Sequence, residues 1–198
     1  MSLNAIDWKA LALWILATMV SSVPGLFAAY VLLLVCAPLG FDLPLVGLPL
    51  VFGLVLGAFH GTAQALVLTR WIERPLSWVP PTAVGEATLW WALFATSSLG
   101  HLAAAVLPGL LLGLAQWLVL RRWVRQAGWW VLATTIGTAS GVALAICVVK
   151  EQSVGPGFAT VFALQVPLAL ITGIALITMF ANTHGLFSSE VTPRPLGL

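Results

Sequence analysis

Slid against itself by 52 residues, the chain meets its own sequence again. Gly57, Gly61, Gln64, Leu66, Val67, Leu68, Arg70, Trp71, Trp78, Val79, Thr82 and Gly85 fall without a gap on Gly109, Gly113, Gln116, Leu118, Val119, Leu120, Arg122, Trp123, Trp130, Val131, Thr134 and Gly137. A third copy shows earlier, where Trp14-Ile15-Leu16-Ala17-Thr18 parallels Trp130-Val131-Leu132-Ala133-Thr134. Repetition at a fixed period restricts the fold to one in which like units pack on like. Composition then names the solvent. The 198 residues are 61% hydrophobic and 7% charged, whereas an ordinary soluble domain is about 25% charged. So few charges cannot cover a water-facing surface, and the chain reads as one membrane domain over 1–198. The basic residues are clustered, which suits a topology signal, and form no stripe of the kind nucleic acid requires.

A helix needs about 20 apolar residues to cross the hydrocarbon. Six segments qualify, at roughly 9–37, 44–69, 77–97, 100–121, 129–149 and 157–182. The first is far longer than a signal-peptide core and is expected to be a retained span. Lys9, Arg70, Arg74, Arg121, Arg122, Arg125 and Arg194 then fall on one side, and Lys150 alone on the other. That asymmetry is expected to place both termini in the cytoplasm. Trp8, Trp14, Trp71, Trp78, Trp123, Trp129 and Trp130 lie near the same face, where they are expected to form an interfacial belt. Cys36 and Cys147 are too few for a disulfide framework; one bridge between them and two inert thiols are both open.

The expected fold is all-α, with six transmembrane helices as three tandem helical hairpins related by pseudo-threefold symmetry. The repeat units cover about 8–70, 77–122 and 129–182, with a short cytoplasmic tail over 183–198. In each unit the first helix carries a Trp and, four residues on, a Thr (Trp14 and Thr18, Trp78 and Thr82, Trp130 and Thr134). The second helix carries Gln64, Gln116 or, more weakly, Thr172. All three hairpins enter from one side, so the axis runs along the membrane normal. Gly53, Gly57 and Gly61 lie four apart on one helix face; Ala105, Gly109 and Gly113 repeat the ladder, and Gly137 and Gly141 shorten it. In lipid, close backbone approach is what joins helices, so these glycines read as packing seams.

Aligned on their tryptophans, the first helices put Ser22, Glu86 and Thr138 at one level. Eight residues separate Trp78 from Glu86, about 12 Å of rise. With His60, Gln64 and Gln116 they are expected to form one mid-membrane polar layer. Ionisable groups at such depth face an interior, a cavity or a partner. The layer supports three readings: hydrogen-bonded glue, a proton or ion path through Glu86 and His60, or ligation of a haem or chlorin metal by His60. A bis-histidine haem within the chain is disfavoured, because His101 and His184 lie at other levels. No phosphate loop, His-Glu-x-x-His or Gly-x-Ser-x-Gly occurs in the chain, and no enzyme is expected.

The string Gly113-Leu-Ala-Gln116-Trp-Leu-Val-Leu-Arg121-Arg122, followed by Gly128-Trp-Trp130-Val-Leu-Ala-Thr134 and Gly137, resembles a group of bacterial membrane proteins of cyanobacteria and filamentous phototrophs. Those proteins carry repeated G-x-x-Q-x-x-x-L-R-R and W-V-x-A-T units. The resemblance covers about residues 57–141. This chain departs from it at Thr69, where the first Arg of the pair is missing, and in the third unit, which ends Thr178-Met179 without arginines. The resemblance implies a partner in a photosynthetic or respiratory complex and assigns no activity. The expected function is therefore a non-catalytic accessory subunit packed against other membrane subunits, lipid or pigment, with His60 as the candidate axial ligand. The alternative is a small solute or ion transporter, or a substrate-binding membrane subunit, with its site at the polar layer.

Overall fold

The computed structural model describes residues 8–36, 47–95, 101–149 and 158–188, with side chains at 8–35, 47–95, 105–148 and 159–182. Among these residues are six α-helices: α1 Trp8–Cys36, α2 Gly47–Leu68, α3 Val79–Ala95, α4 His101–Leu120, α5 Gly128–Val149 and α6 Phe158–Ser188. A 3₁₀ turn, Pro75–Trp78, leads into α3. There is no strand among the described residues. Proline starts helices well because its missing N–H would be unpaired there anyway, and Pro80 and Pro81 stand in the first turn of α3. The helix bounds follow the charges. Arg70, Glu73 and Arg74 close α2, Arg121, Arg122 and Arg125 separate α4 from α5, and all six are exposed. The last helix runs to Ser188, past the 182 expected from hydropathy. Asp42, Lys150 and Arg194 lie outside the described residues, as do the side chains of Cys36, His101 and His184. The Cys147 thiol is free and exposed.

Four helices are long and apolar enough to cross a membrane: α1, α2, α5 and α6. The other two are apolar but shorter; α3 has 17 residues and carries Glu86, and the described apolar stretch of α4 is Ala105–Leu120. Each helix packs against the next in sequence, and α6 packs against α1. The six therefore form a closed ring. Its outer wall is apolar: Val20, Phe27, Leu34, Leu66, Leu107, Trp129 and Ile136 all face outward. Tyr30, which its place in an apolar segment would bury, instead lies on the outer side, its ring T-shaped to Phe52.

Glycine lets these helices close up. A Cβ on Gly53 would lie 2.5 Å from the Ala87 Cα, and one on Gly57 would lie 2.7 Å from the Ala83 Cα. Gly61 faces Val79 in the same way. Gly109 and Gly113 receive Thr135, Thr138 and Val131 of α5, while Gly137 and Gly141 receive Leu168 and Leu164 of α6. All seven seam glycines thus pack helix on helix inside the chain. Three layers stack within the ring. Trp14, Trp78, Trp130, Leu68, Leu120 and Leu176 fill the end that carries the arginines. Leu26, Phe52, Leu56, Trp90, Val161 and Leu164 fill the opposite end. Between them lie polar side chains.

Candidate functional site

The polar residues sit on two tiers, one helical turn apart. In the tier nearer the arginines the indoles of Trp14, Trp78 and Trp130 meet edge to face, with centroids 6.3, 5.8 and 5.4 Å apart. They are 0%, 0% and 1% exposed, so they are core residues and no part of an interfacial belt. Trp8 and Trp129, each 63% exposed, are the ones placed as such a belt requires. A buried indole N–H needs an acceptor, and each finds one on a neighbouring helix. The Trp78 Nε1 donates to Gln64 Oε1 over 2.9 Å, and the Gln64 amide donates to Thr18 Oγ1 over 3.1 Å. The Trp130 Nε1 donates to Gln116 Oε1, and the Gln116 amide to Thr82 Oγ1, each over 2.9 Å. Thr18 and Thr82 return their hydroxyl protons to the carbonyls of Trp14 and Trp78. The Trp14 Nε1 donates to Thr172 Oγ1 over 3.1 Å, and Thr172 donates onward to the Leu168 carbonyl of its own helix. Every polar atom of this tier has a partner.

One turn further from the arginines lies a different set. Ser22 of α1, His60 of α2, Glu86 of α3 and Gln165 of α6 are 0%, 1%, 2% and 2% exposed. Ser22 Oγ stands 3.0 Å from His60 Nε2, and His60 Nδ1 stands 3.2 Å from Glu86 Oε1. The Gln165 amide donates to Glu86 Oε1 over 3.0 Å and touches His60 Nδ1 at 3.3 Å. Ser22 also reaches the Thr18 carbonyl at 3.1 Å. Local sequence explains the placement. Trp14, Thr18 and Ser22 rise in steps of four on α1, Trp78, Thr82 and Glu86 do the same on α3, and His60 and Gln64 are four apart on α2; residues at this spacing share a helix face. Here satisfaction is incomplete. Gln165 Oε1 and Thr138 Oγ1 are buried without a hydrogen-bond partner, and Glu86 Oε2 has no well-formed bond, only the Trp90 indole N–H nearby as a weak donor.

The single polar layer expected from sequence is therefore divided. Gln64 and Gln116 belong to the tryptophan tier; Ser22, His60 and Glu86 belong to the node. Thr138 is buried against Gly109 and hydrogen-bonds to none of them. Gln165 was not anticipated. Under the shift that sets Thr172 beneath Gln116 it aligns with Gly109, so the repeat conceals it. Its signal was simply a glutamine at mid-depth in an apolar span.

The node does not fit a haem or chlorin. Both ring nitrogens of His60 are engaged, by Ser22 on one side and by Glu86 and Gln165 on the other. The adjacent Gly61 is filled by α3, with its would-be Cβ 2.9 Å from the Val79 Cα, which leaves no slot for a flat macrocycle. No three His, Cys, Asp or Glu side chains group around a common point among the described residues. Set against known protein families, curated proteins and solved structures, the chain matches none of them.

Proposed function

We propose that this chain is a small membrane transporter for an ion or small polar solute, with its site at Ser22, His60, Glu86 and Gln165. The observation that carries the reading is that these four side chains, from four helices, converge inside a closed ring rather than toward its outer wall. Polar groups are kept at such depth for a purpose, since each costs desolvation. In this reading α3 and α4 also cross, giving six spans as three same-sense hairpins about a pseudo-threefold axis, with both termini in the cytoplasm of a bacterial inner membrane. The support is the bonding pattern, in which Trp78–Gln64–Thr18 is repeated as Trp130–Gln116–Thr82. The axis breaks at the node. Where the first unit has His60, the others carry Leu112 and Leu168, and Ser22, Glu86 and Thr138 differ at one register. A repeat diverges where a single site is needed.

The test is flux in proteoliposomes holding the purified full chain. Glu86→Gln and Gln165→Leu are expected to abolish transport while the variants remain folded; unchanged flux in both sinks the reading. A second reading, an accessory subunit of a photosynthetic or respiratory complex, draws support from the outward row Val20, Phe27 and Leu34 on α1, a surface suited to lipid or to a partner helix, and from the resemblance to proteins of phototrophs. The inward closure of the glycine seams weighs against it. Purification from native membranes in mild detergent separates the two readings: stoichiometric companions and a pigment band favour the subunit, and a colourless single chain favours the transporter.

A further inference from the structure

We propose that the species bound at the node is the proton, taken up by the Glu86–His60 pair with the Ser22 hydroxyl turning to follow it; this rests on the transport reading above and names its substrate. The argument starts from hydrogen-bond counting. A neutral imidazole has one donor and one acceptor nitrogen, and a hydroxyl has one proton to give. Ser22 Oγ faces two acceptors, His60 Nε2 at 3.0 Å and the Thr18 carbonyl at 3.1 Å, and can donate to only one at a time.

Two arrangements satisfy the same atoms and differ by one proton. In the unloaded form Glu86 is a carboxylate, accepting from the His60 Nδ1–H and the Gln165 amide; His60 Nε2 accepts from the Ser22 hydroxyl. In the loaded form the added proton sits on Glu86 Oε1, which donates to His60 Nδ1. The imidazole hydrogen is then on Nε2 and donates to Ser22 Oγ, and the Ser22 hydroxyl turns to the Thr18 carbonyl. One proton is gained, none is lost and no electrons move. Gln165 donates to Oε1 in both forms.

A metal cation suits these atoms less well. Both imidazole nitrogens are taken, and Gln165 offers the carboxyl an N–H rather than an oxygen. The two acceptors without a well-formed bond, Glu86 Oε2 and Gln165 Oε1, are what an arriving water or hydronium would meet. Among the described residues no other ionisable side chain is paired with or hydrogen-bonded to either group. α1 presents Ser21 and Ser22, α6 presents Gln165, and α4 lays Leu112 against Gly85 beside Glu86. Protons cannot continue through the tryptophan tier, because indole and amide N–H groups donate hydrogen bonds without releasing the hydrogen. Exchange through the other end requires the packed layer of Leu26, Phe52, Leu56 and Trp90 to part.

Infrared difference spectroscopy of the reconstituted full chain, titrated with pH, tests this. One carboxylic acid C=O band and an imidazole ring band are expected to titrate together. Glu86→Gln should lose both. His60→Gln should move the carboxyl midpoint by more than tenfold in proton concentration, a second route should the first variant fail to fold. Ser22→Ala should shift the ring band and leave the carboxyl band in place. A carboxyl silent throughout, or an imidazole that titrates unchanged in Glu86→Gln, overturns the proposal. A titrating pair in a chain that carries no flux would overturn transport and keep the proton site. Flux with a silent carboxyl would keep transport and overturn the proton.

Discussion

The tryptophan tier takes side chains from all six helices and the node, one turn away, from four of them, and the two obey opposite rules. Around Trp14, Trp78 and Trp130 each donor has its acceptor, and two of the three bridges are the same trio of residue types. Around Glu86 each unit contributes something different, and polar atoms remain unpaired. Identical, saturated contacts fix geometry; a buried polar group left unpaired is a cost, retained only where something else requires it. In the transport reading proposed above, the tryptophan tier is the frame and the node is the device. Each prediction below asks whether a change strikes frame or device.

The largest stability effect should come from the frame. Trp78→Ala removes a fully buried indole, strands Gln64 Oε1 and opens a cavity at the centre of the ring. We expect a loss of about 3–5 kcal/mol, read as a lower melting temperature and a lower yield of monodisperse protein in detergent. Next comes the seam. Gly53→Ala places a methyl 2.5 Å from the Ala87 Cα, backbone that cannot turn aside, so overpacking should cost about 1–3 kcal/mol. Because Ala87 follows Glu86, separation of α2 from α3 should also weaken the His60–Glu86 contact, and transport should fall with stability.

The device should behave in reverse. The double change His60→Leu with Glu86→Gln removes both ionisable groups, leaves Gln165 an amide partner and gives the first unit the leucine its siblings carry. Replacing a buried ionisable pair with neutral groups is often neutral or stabilising, so melting should move little or rise while flux disappears. A variant as unstable as Trp78→Ala would make the node part of the frame and erase the distinction.

The frame was half legible in the sequence. Charges marked the helix ends, the four-residue glycine spacing marked the seams, and the four-residue steps from Trp78 put Thr82 and Glu86 on one face. The direction of the tryptophans was not legible from position alone. A Trp close to arginines serves as an interface anchor or as an axial core residue, and both readings occur here, in Trp129 and its neighbour Trp130. What separates them is an acceptor, and the spacing held that clue: Gln64 precedes Trp78, and Gln116 precedes Trp130, by the same 14 residues. The node was less legible because it is a departure from the repeat. Ser22, His60 and Glu86 stood out as polar groups at depth, and they meet because α1 and α3 both pack on α2; Gln165 joins them only through the α1–α6 closure of the ring, which no local pattern encodes.

The third bridge gives the finest test. Trp14 bonds to Thr172 rather than to a glutamine, and Thr134, the counterpart of Thr18 and Thr82, is buried with its hydroxyl turned to the Trp130 carbonyl and receives no amide. If the tier is a threefold frame with one member shortened, Thr172→Gln should set an amide between the Trp14 indole and the Thr134 hydroxyl. The new side chain would supply one interhelical hydrogen bond beyond the present one, a contribution averaging about 0.6 kcal/mol within membranes. A small rise in melting temperature with flux unchanged is the expected result. The change also brings bulk beside Gly173, whose would-be Cβ already lies 3.0 Å from the Trp14 ring. A fall of several degrees would therefore mean that the α6–α1 closure is narrower than the other two, and that Thr172 is threonine because the ring shuts there.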